Sequence, residues 1–124
     1  MIYIASPYSH MKQEVMDKRH DAVRSYTAFL LRAGVIAYSP IVHCHDLAKH
    51  EQLPTTWEFW QWYNIGMLRF AQGLYVLCID GWRESRGVEF ELFVANQLNI
   101  TIKMIKDDEW RESSTPVNSP KQQS

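Results

Sequence analysis

Apolar residues run along the chain in two alternating rhythms. The run Ile2-Tyr3-Ile4-Ala5 is short, unbroken and stopped by Ser6-Pro7, which predicts a buried first strand. Over residues 13–32 the spacing changes to threes and fours. Val15, Ala22, Val23, Tyr26, Phe29, Leu30 and Ala33 share a helix face, and Gly34 follows as its C-terminal stop. Residues 35–38 predict a second strand, ended by Ser39-Pro40. Residues 41–54 keep no sustained period and predict a loop holding no more than one helical turn. Thr55 or Thr56 then caps a helix running to about residue 71, with Trp57, Trp60, Ile65 and Leu68 on its faces. Residues 74–79 form the most apolar strand, 80–86 a polar loop, 87–98 a helix and 100–105 a last strand.

Strand and helix alternate throughout, and such an order calls for a parallel sheet with helices on both faces. Ligands of these sheets sit beyond the carboxyl ends of the strands. Three loops meet that edge: residues 6–10, 39–45 and 80–87. With 124 residues the chain suits one domain, placed here at residues 1–106. Residues 107–124 are rich in Ser, Pro, Gln and Lys and are expected to form a flexible tail.

Composition narrows the function. Hydrophobic residues make up 46% and charged residues 22%, as in an ordinary globular domain. The net charge of -1 lacks the basic excess that a nucleic-acid polymer would require, but leaves room for a small anionic ligand. Cys44 and Cys78 show neither a zinc spacing nor a disulfide framework. No charged, apolar leader opens the chain and its longest apolar run cannot span a bilayer, so a cytoplasmic protein with no membrane partner is expected.

The densest chemistry lies in Asp80-Gly81-Trp82-Arg83-Glu84-Ser85-Arg86-Gly87-Val88-Glu89-Phe90-Glu91, where the third strand hands over to a helix. Ser85 and Gly87 stand at a helix start, whose free N–H groups attract an anion. Glu91 follows one turn later, placed to face the sugar of a ligand whose phosphate rests on that start. The plainer reading is a helix cap with acidic residues favouring the dipole, and spacing alone favours it. His43, Cys44, His45, Asp46 and His50 lack the convincing spacing of a metal site, so no metal is expected. His43 or His45 either lines the pocket or closes the loop. Trp57 and Trp60 share a helix side and are assigned to core or subunit interface. Trp82, in the active-edge loop, is the tryptophan placed to touch ligand.

Ser85-x-Gly87-x-x-x-Glu91 resembles the signature of the nucleoside 2-deoxyribosyltransferase superfamily. It is closest to the branch that hydrolyses nucleoside 5′-monophosphates. Ile2-Tyr3-Ile4-Ala5-Ser6-Pro7-Tyr8, Tyr38-Ser39-Pro40-Ile41-Val42-His43, Trp57, Met67-Leu68 and Asp80-Gly81-Trp82 extend the likeness over about residues 2–105, toward an uncharacterised, frequently phage-encoded subgroup. The resemblance implies a three-layer, flavodoxin- or Rossmann-like α/β fold. It implies a retaining N-glycosidase without cofactor, acting on a nucleotide or nucleoside. Glu91 is then the nucleophile that forms a glycosyl ester, and Tyr3 positions it. Ser85 and Gly87 take the phosphate, and Ser6, Pro7, Tyr8, His43, Asp80 and Trp82 complete the pocket. A homodimer or larger homo-oligomer is also implied. The chain departs from its relatives where they place an aspartate that assists the leaving base: the residue here is Asn64, which hydrogen-bonds but does not titrate. A second frequent aspartate is Gln72. Asp80 or Glu89 then supplies the proton, or the chain exchanges bases, or it binds nucleotide without turnover.

Overall fold

The computed structural model describes residues 1–113. Its elements are β1 (Ile2–Ala5), α1 (Gln13–Arg32), β2 (Ala37–Tyr38), α2 (Pro40–Glu51), α3 (Trp57–Leu68), β3 (Gly73–Cys78), α4 (Arg86–Gln97), β4 (Thr101–Lys106) and α5 (Asp107–Ser113). The strands pair in parallel in the order β2-β1-β3-β4. Ile2 stands opposite Ala37 on one side and Gly73 on the other, so β1 is flanked by both β2 and β3. The chain leaves β1 toward one edge and returns past it to β3. The carboxyl ends of β1 and β3 therefore flank the switch point where ligands gather in such sheets.

Strand alternation sorts the core into two layers. Tyr3, Ala5, Leu74 and Val76 point to the face covered by Leu68 of α3 and by Val88 and Ala95 of α4. Ile4 and Leu77 point to the other face and meet Val23, Tyr26 and Leu30 of α1. This is the expected three-layer α/β arrangement. Gly34 stops α1 as its position suggested. It adopts φ 83°, while Gly34 N–H bonds Leu31 O at 3.0 Å and Val35 N–H bonds Leu30 O at 3.0 Å, the paired closure of a left-handed C-terminal stop.

Two expectations are corrected. Residues 40–51 form the helix α2 in place of a loop. Ser39 Oγ accepts the Val42 N–H at 3.1 Å and Pro40 occupies the first helical position, a strong start pair. Its buried side is Pro40, Cys44, His45 and Ala48, a stripe with little aliphatic character, which is why the apolar period was faint. Residues 107–113 are helical rather than tail. Trp110 is buried at 6% exposure, with its ring 5.3 Å from Tyr26 and 5.7 Å from Phe29, and it closes the α1 face of the sheet. The expected flexibility of residues 114–124 lies outside the described residues. The second strand pairs only at Ala37 and Tyr38, and the polar loop holds a short 3₁₀ turn at Trp82–Glu84.

Candidate functional site

A cavity of about 310 Å³ opens at the carboxyl edge of the sheet, in the size range of small-molecule sites. Ser6, Tyr8 and Ser9 reach it from the loop after β1. Pro40, Ile41, Cys44 and Ala48 come from α2, and Trp57, Trp60 and Asn64 from α3. Ser85, Arg86 and Gly87 come from the start of α4, with Glu91 one turn further in. Ser9 Oγ donates to Thr55 O at 2.6 Å and ties the first loop to the segment before α3.

Glu91 is 5% exposed, and the Tyr3 hydroxyl donates a hydrogen bond to its Oε2. Burial pushes the carboxyl up to about 8, against the opposing pull of the Tyr3 bond, which favours the anion. Tyr3 is itself held well above the ordinary phenol range, first by burial and then by the Glu91 charge, so it stays a donor. Strand β1 buries Tyr3 on the α4 face, and this is how residues far apart in sequence come to share one bond.

Two further polar atoms make the cavity unlike a packing defect. Ser6 Oγ and Asn64 Oδ1 are buried without a hydrogen-bond partner among the described residues, and both residues line the same cavity as Glu91. Buried polar atoms are normally satisfied, and leaving one orphaned costs about 1–3 kcal/mol. A polar ligand would remove that cost.

The start of α4 supplies a place for an anion. Ser85 is the N-cap and its Oγ accepts the Val88 N–H at 3.2 Å, while Glu89 N–H bonds Ser85 O at 3.0 Å. The cap reading of Ser85 is thus part of the structure. It leaves the N–H groups of Arg86 and Gly87, both cavity residues, as the orphan donors of the first turn. A side chain at Gly87 would meet the Trp57 ring at 3.5 Å, an ordinary contact, so packing alone does not require glycine there. Its effect is to keep the backbone bare on the wall. Arg86 is exposed and bridges Glu58 at 2.9 Å on the rim.

Of the residues singled out by sequence, Ser6, Tyr8, Asn64, Ser85, Gly87 and Glu91 line the cavity, and Tyr3 stands behind Glu91. Pro7, His43, Asp80 and Trp82 do not line it. Pro7 is fully buried in the loop. His43 is exposed and stacks on Tyr63, ring centroids 5.6 Å apart. Asp80 is exposed and borders a separate hollow beside Arg19 and Asp107. Trp82 packs against the core, with the Arg83 guanidinium 4.8 Å over its ring. The tryptophans exchange roles relative to expectation: Trp57 and Trp60 face the cavity and Trp82 does not. Trp57 rests 5.1 Å from Phe90, and Trp60 Nε1 donates to Pro54 O at 2.8 Å. Sequence reasoning brought residues 39–45 to this edge as a loop, and it missed that Pro40, Ile41, Cys44 and Ala48 line the cavity from a helix. Among the described residues no three His, Cys, Asp or Glu side chains come together in a way that could hold a metal ion, and no helix is long and apolar enough to cross a membrane.

No curated protein matches the sequence. The sequence model of one family, described as a domain of unknown function, matches residues 1–106, a span that includes every residue of the cavity and ends with β4. The chain belongs to that family, DUF1937.

Proposed function

We propose that this protein is an N-glycosidase that cleaves the base–sugar bond of a nucleoside 5′-monophosphate through a covalent ester on Glu91. The observation that carries the reading is the buried Glu91 carboxyl, held by Tyr3 in a cavity where Ser6 Oγ and Asn64 Oδ1 lack hydrogen-bond partners among the described residues. The 5′-phosphate rests on the Arg86 and Gly87 N–H groups, beside Ser85 and Ser6. The Trp57 and Trp60 rings flank the base, and Asn64 hydrogen-bonds its edge. Ionised Glu91 attacks the anomeric carbon as the C–N bond breaks. Water then cleaves the ester and restores the carboxylate.

The test is incubation with a panel of nucleoside 5′-monophosphates and detection of free base. Release that disappears in Glu91→Gln supports the reading, and a wild-type protein that releases no base from any of them overturns it. Asn64 favours a second reading, nucleotide binding without turnover, since an amide cannot supply a titrating proton. Tight binding of a monophosphate with no base released would select it. Release only in the presence of a second free base would select base exchange. A homo-oligomer is part of the proposal. Trp62 and Phe93, at 71% and 57% exposure, present an apolar surface on α3 and α4, and light scattering reads the mass.

A further inference from the structure

A departing base takes an electron pair with it and leaves far more readily when a proton arrives. Asn64 cannot give one, and the acids suggested by sequence are placed elsewhere: Asp80 borders the other hollow, and Glu89 is exposed and outside the cavity. Among the titratable cavity residues, Glu58 is bound to Arg86 at 2.9 Å and Glu84 is exposed. Burial pushes the Cys44 thiol and the Tyr8 hydroxyl alike up to about 12, so proton affinity does not separate them.

Tyr8 differs from all of these because its hydroxyl is connected to a supply of protons. It lies 2.8 Å from His45 Nδ1. The other ring nitrogen, Nε2, lies 3.5 Å from the Asp17 carboxylate. His45 is only 5% exposed, and His20 of α1 stacks flat on it, with centroids 3.9 Å apart and planes 10° apart. The Tyr8 backbone is fixed as well, since Arg19 Nη1 is bound by Tyr8 O at 3.4 Å and Ser9 O at 3.0 Å.

We propose that Tyr8, His45 and Asp17 form the proton path to the leaving base, with Tyr8 as the acid that touches it. The inference rests on the glycosidase reading above. As the C–N bond breaks and its electron pair moves onto the base nitrogen, Tyr8 O–H protonates that nitrogen. His45 passes its Nδ1 proton to the Tyr8 oxygen and keeps its Nε2–H toward Asp17. In the second step water attacks the anomeric carbon, the bond from that carbon to the Glu91 oxygen breaks, and Glu91 leaves as carboxylate. The water proton returns to Tyr8 as the Tyr8 proton returns to His45. Tyr8 and Glu91 touch the reacting atoms, whereas His45 and Asp17 act through Tyr8 and position it.

The charged groups around His45 suit this cycle. From α1 come Asp17 and His20, with Asp21 and Arg24 beside His20. From α2 come Asp46 and Lys49, the latter 3.9 Å from Asp17. A hydrogen bond from Gln13, then the charges of Lys49 and His45, hold Asp17 below the usual carboxylate range, so it stays ionised. Burial, then the charge of His45, lowers His20.

The experiment compares two substrates in the wild type and in Tyr8→Phe, His45→Asn and Asp17→Asn. One is the best natural monophosphate from the panel. The other is a nitrophenyl 2-deoxyriboside 5-phosphate, whose leaving group departs as an anion and needs no acid. Tyr8→Phe, which keeps the ring, is expected to lose roughly 100- to 1000-fold in kcat on the natural nucleotide and to stay within a few-fold on the nitrophenyl substrate. The other two variants should show the same split, smaller in size. Glu91→Gln should lose both activities. Equal losses on both substrates, or no loss in Tyr8→Phe, overturn the proton path while leaving the glycosidase intact. A wild-type protein inactive on both overturns the glycosidase and the path together. Thermal melts of each variant separate unfolding from chemistry, and for a variant that melts early the substrate ratio, measured below its melting point, still decides.

Discussion

Replacing Glu91 by Gln should make this protein more stable at alkaline pH while removing its activity. In the folded chain burial holds the Glu91 proton up to about 8, whereas the unfolded chain releases it near 4.5. Between those values the native state binds a proton that the unfolded state has lost. The wild type therefore loses stability as pH rises across that window, by about 1.4 kcal/mol per pH unit from this group. Over the whole window the loss is roughly 5 kcal/mol, reduced to on the order of 2–4 kcal/mol as water and side chains relax around the new charge. Glutamine has the same length, keeps an acceptor for the Tyr3 hydroxyl and never ionises. Every other group is common to the two proteins, so the difference between their pH–stability curves isolates residue 91. Urea unfolding of both proteins at about pH 5 and about pH 8.5 measures it. The variant should gain a few kcal/mol relative to wild type between the two conditions, seen also as a relative rise in melting temperature of roughly 10 °C. Parallel curves would mean that Glu91 titrates as an ordinary surface carboxylate, and that the buried, Tyr3-bound carboxyl is not the state of the protein in solution.

Other outcomes follow from the same geometry. With the nitrophenyl substrate, which needs no acid, kcat/KM should climb with pH and level off above about pH 8, because the attacking carboxyl must ionise; a flat profile from about pH 5 to 9 would contradict a nucleophile with so high a pKa. Ser85→Ala should lower stability by about 1 kcal/mol through loss of the cap. If the phosphate sits beside it, the same change raises KM for monophosphates and leaves nucleosides nearly untouched, which paired kinetics would show. Trp110→Ala should cost roughly 3 kcal/mol in urea unfolding, and a cost under about 1 kcal/mol would mean α5 is undocked. Gly81→Ala puts a side chain at φ 92° and a Cβ onto Arg19 Nη2, so it should destabilise by about 1 kcal/mol and slow catalysis by shifting the Arg19 that fixes Tyr8.

The fold was legible where periodicity was strong. Val23, Tyr26 and Leu30 announced α1, and the apolar runs over residues 2–5 and 74–79 announced the central strands, observed at Ile2–Ala5 and Gly73–Cys78. Helix α2 stayed hidden because its buried stripe is Pro, Cys, His and Ala, although Ser39-Pro40 is a helix start that could have been read. The tail's composition masked α5, whose place depends on Trp110 meeting Tyr26 and Phe29 across more than eighty residues of sequence. In the site, one helix start sets the spacing of Ser85 and Glu91, but spacing alone favoured a plain cap, and the resemblance gave them their roles. Tyr3 was found by resemblance, and its bond to Glu91 depends on β1 and α4 packing together. Trp57 and Trp60 were misjudged because a helix face does not say whether it meets core or cavity. The chain of Tyr8, His45 and Asp17 draws on a loop and two helices, one of them unseen, and no local spacing encodes it.

The two faces of the sheet carry unequal burdens, and that inequality bears on how so small a domain sustains a polar cavity. On the α1 face Ile4, Val23, Leu30 and Leu77 pack with Trp110 in an apolar cluster. On the α4 face the apolar cluster gives way at the strand ends to Glu91, Ser6 and Asn64, all nearly buried, two of them holding oxygens without a partner among the described residues. Each such group lowers stability, and Glu91 lowers it further once ionised. A domain with a margin of only about 5–15 kcal/mol can keep them where other packing offsets the loss. The opposite face, completed by a helix beyond the family match, is where that offset lies. Removing α5 should therefore be tolerated better in Glu91→Gln than in the wild type at alkaline pH. Deleting residues 107–124 from both proteins and comparing their unfolding at about pH 8.5 tests this, since the truncated wild type should cross into partial unfolding first. Equal residual stability of the two truncated proteins would show that the polar cavity costs the fold nothing, and that α5 serves some other end.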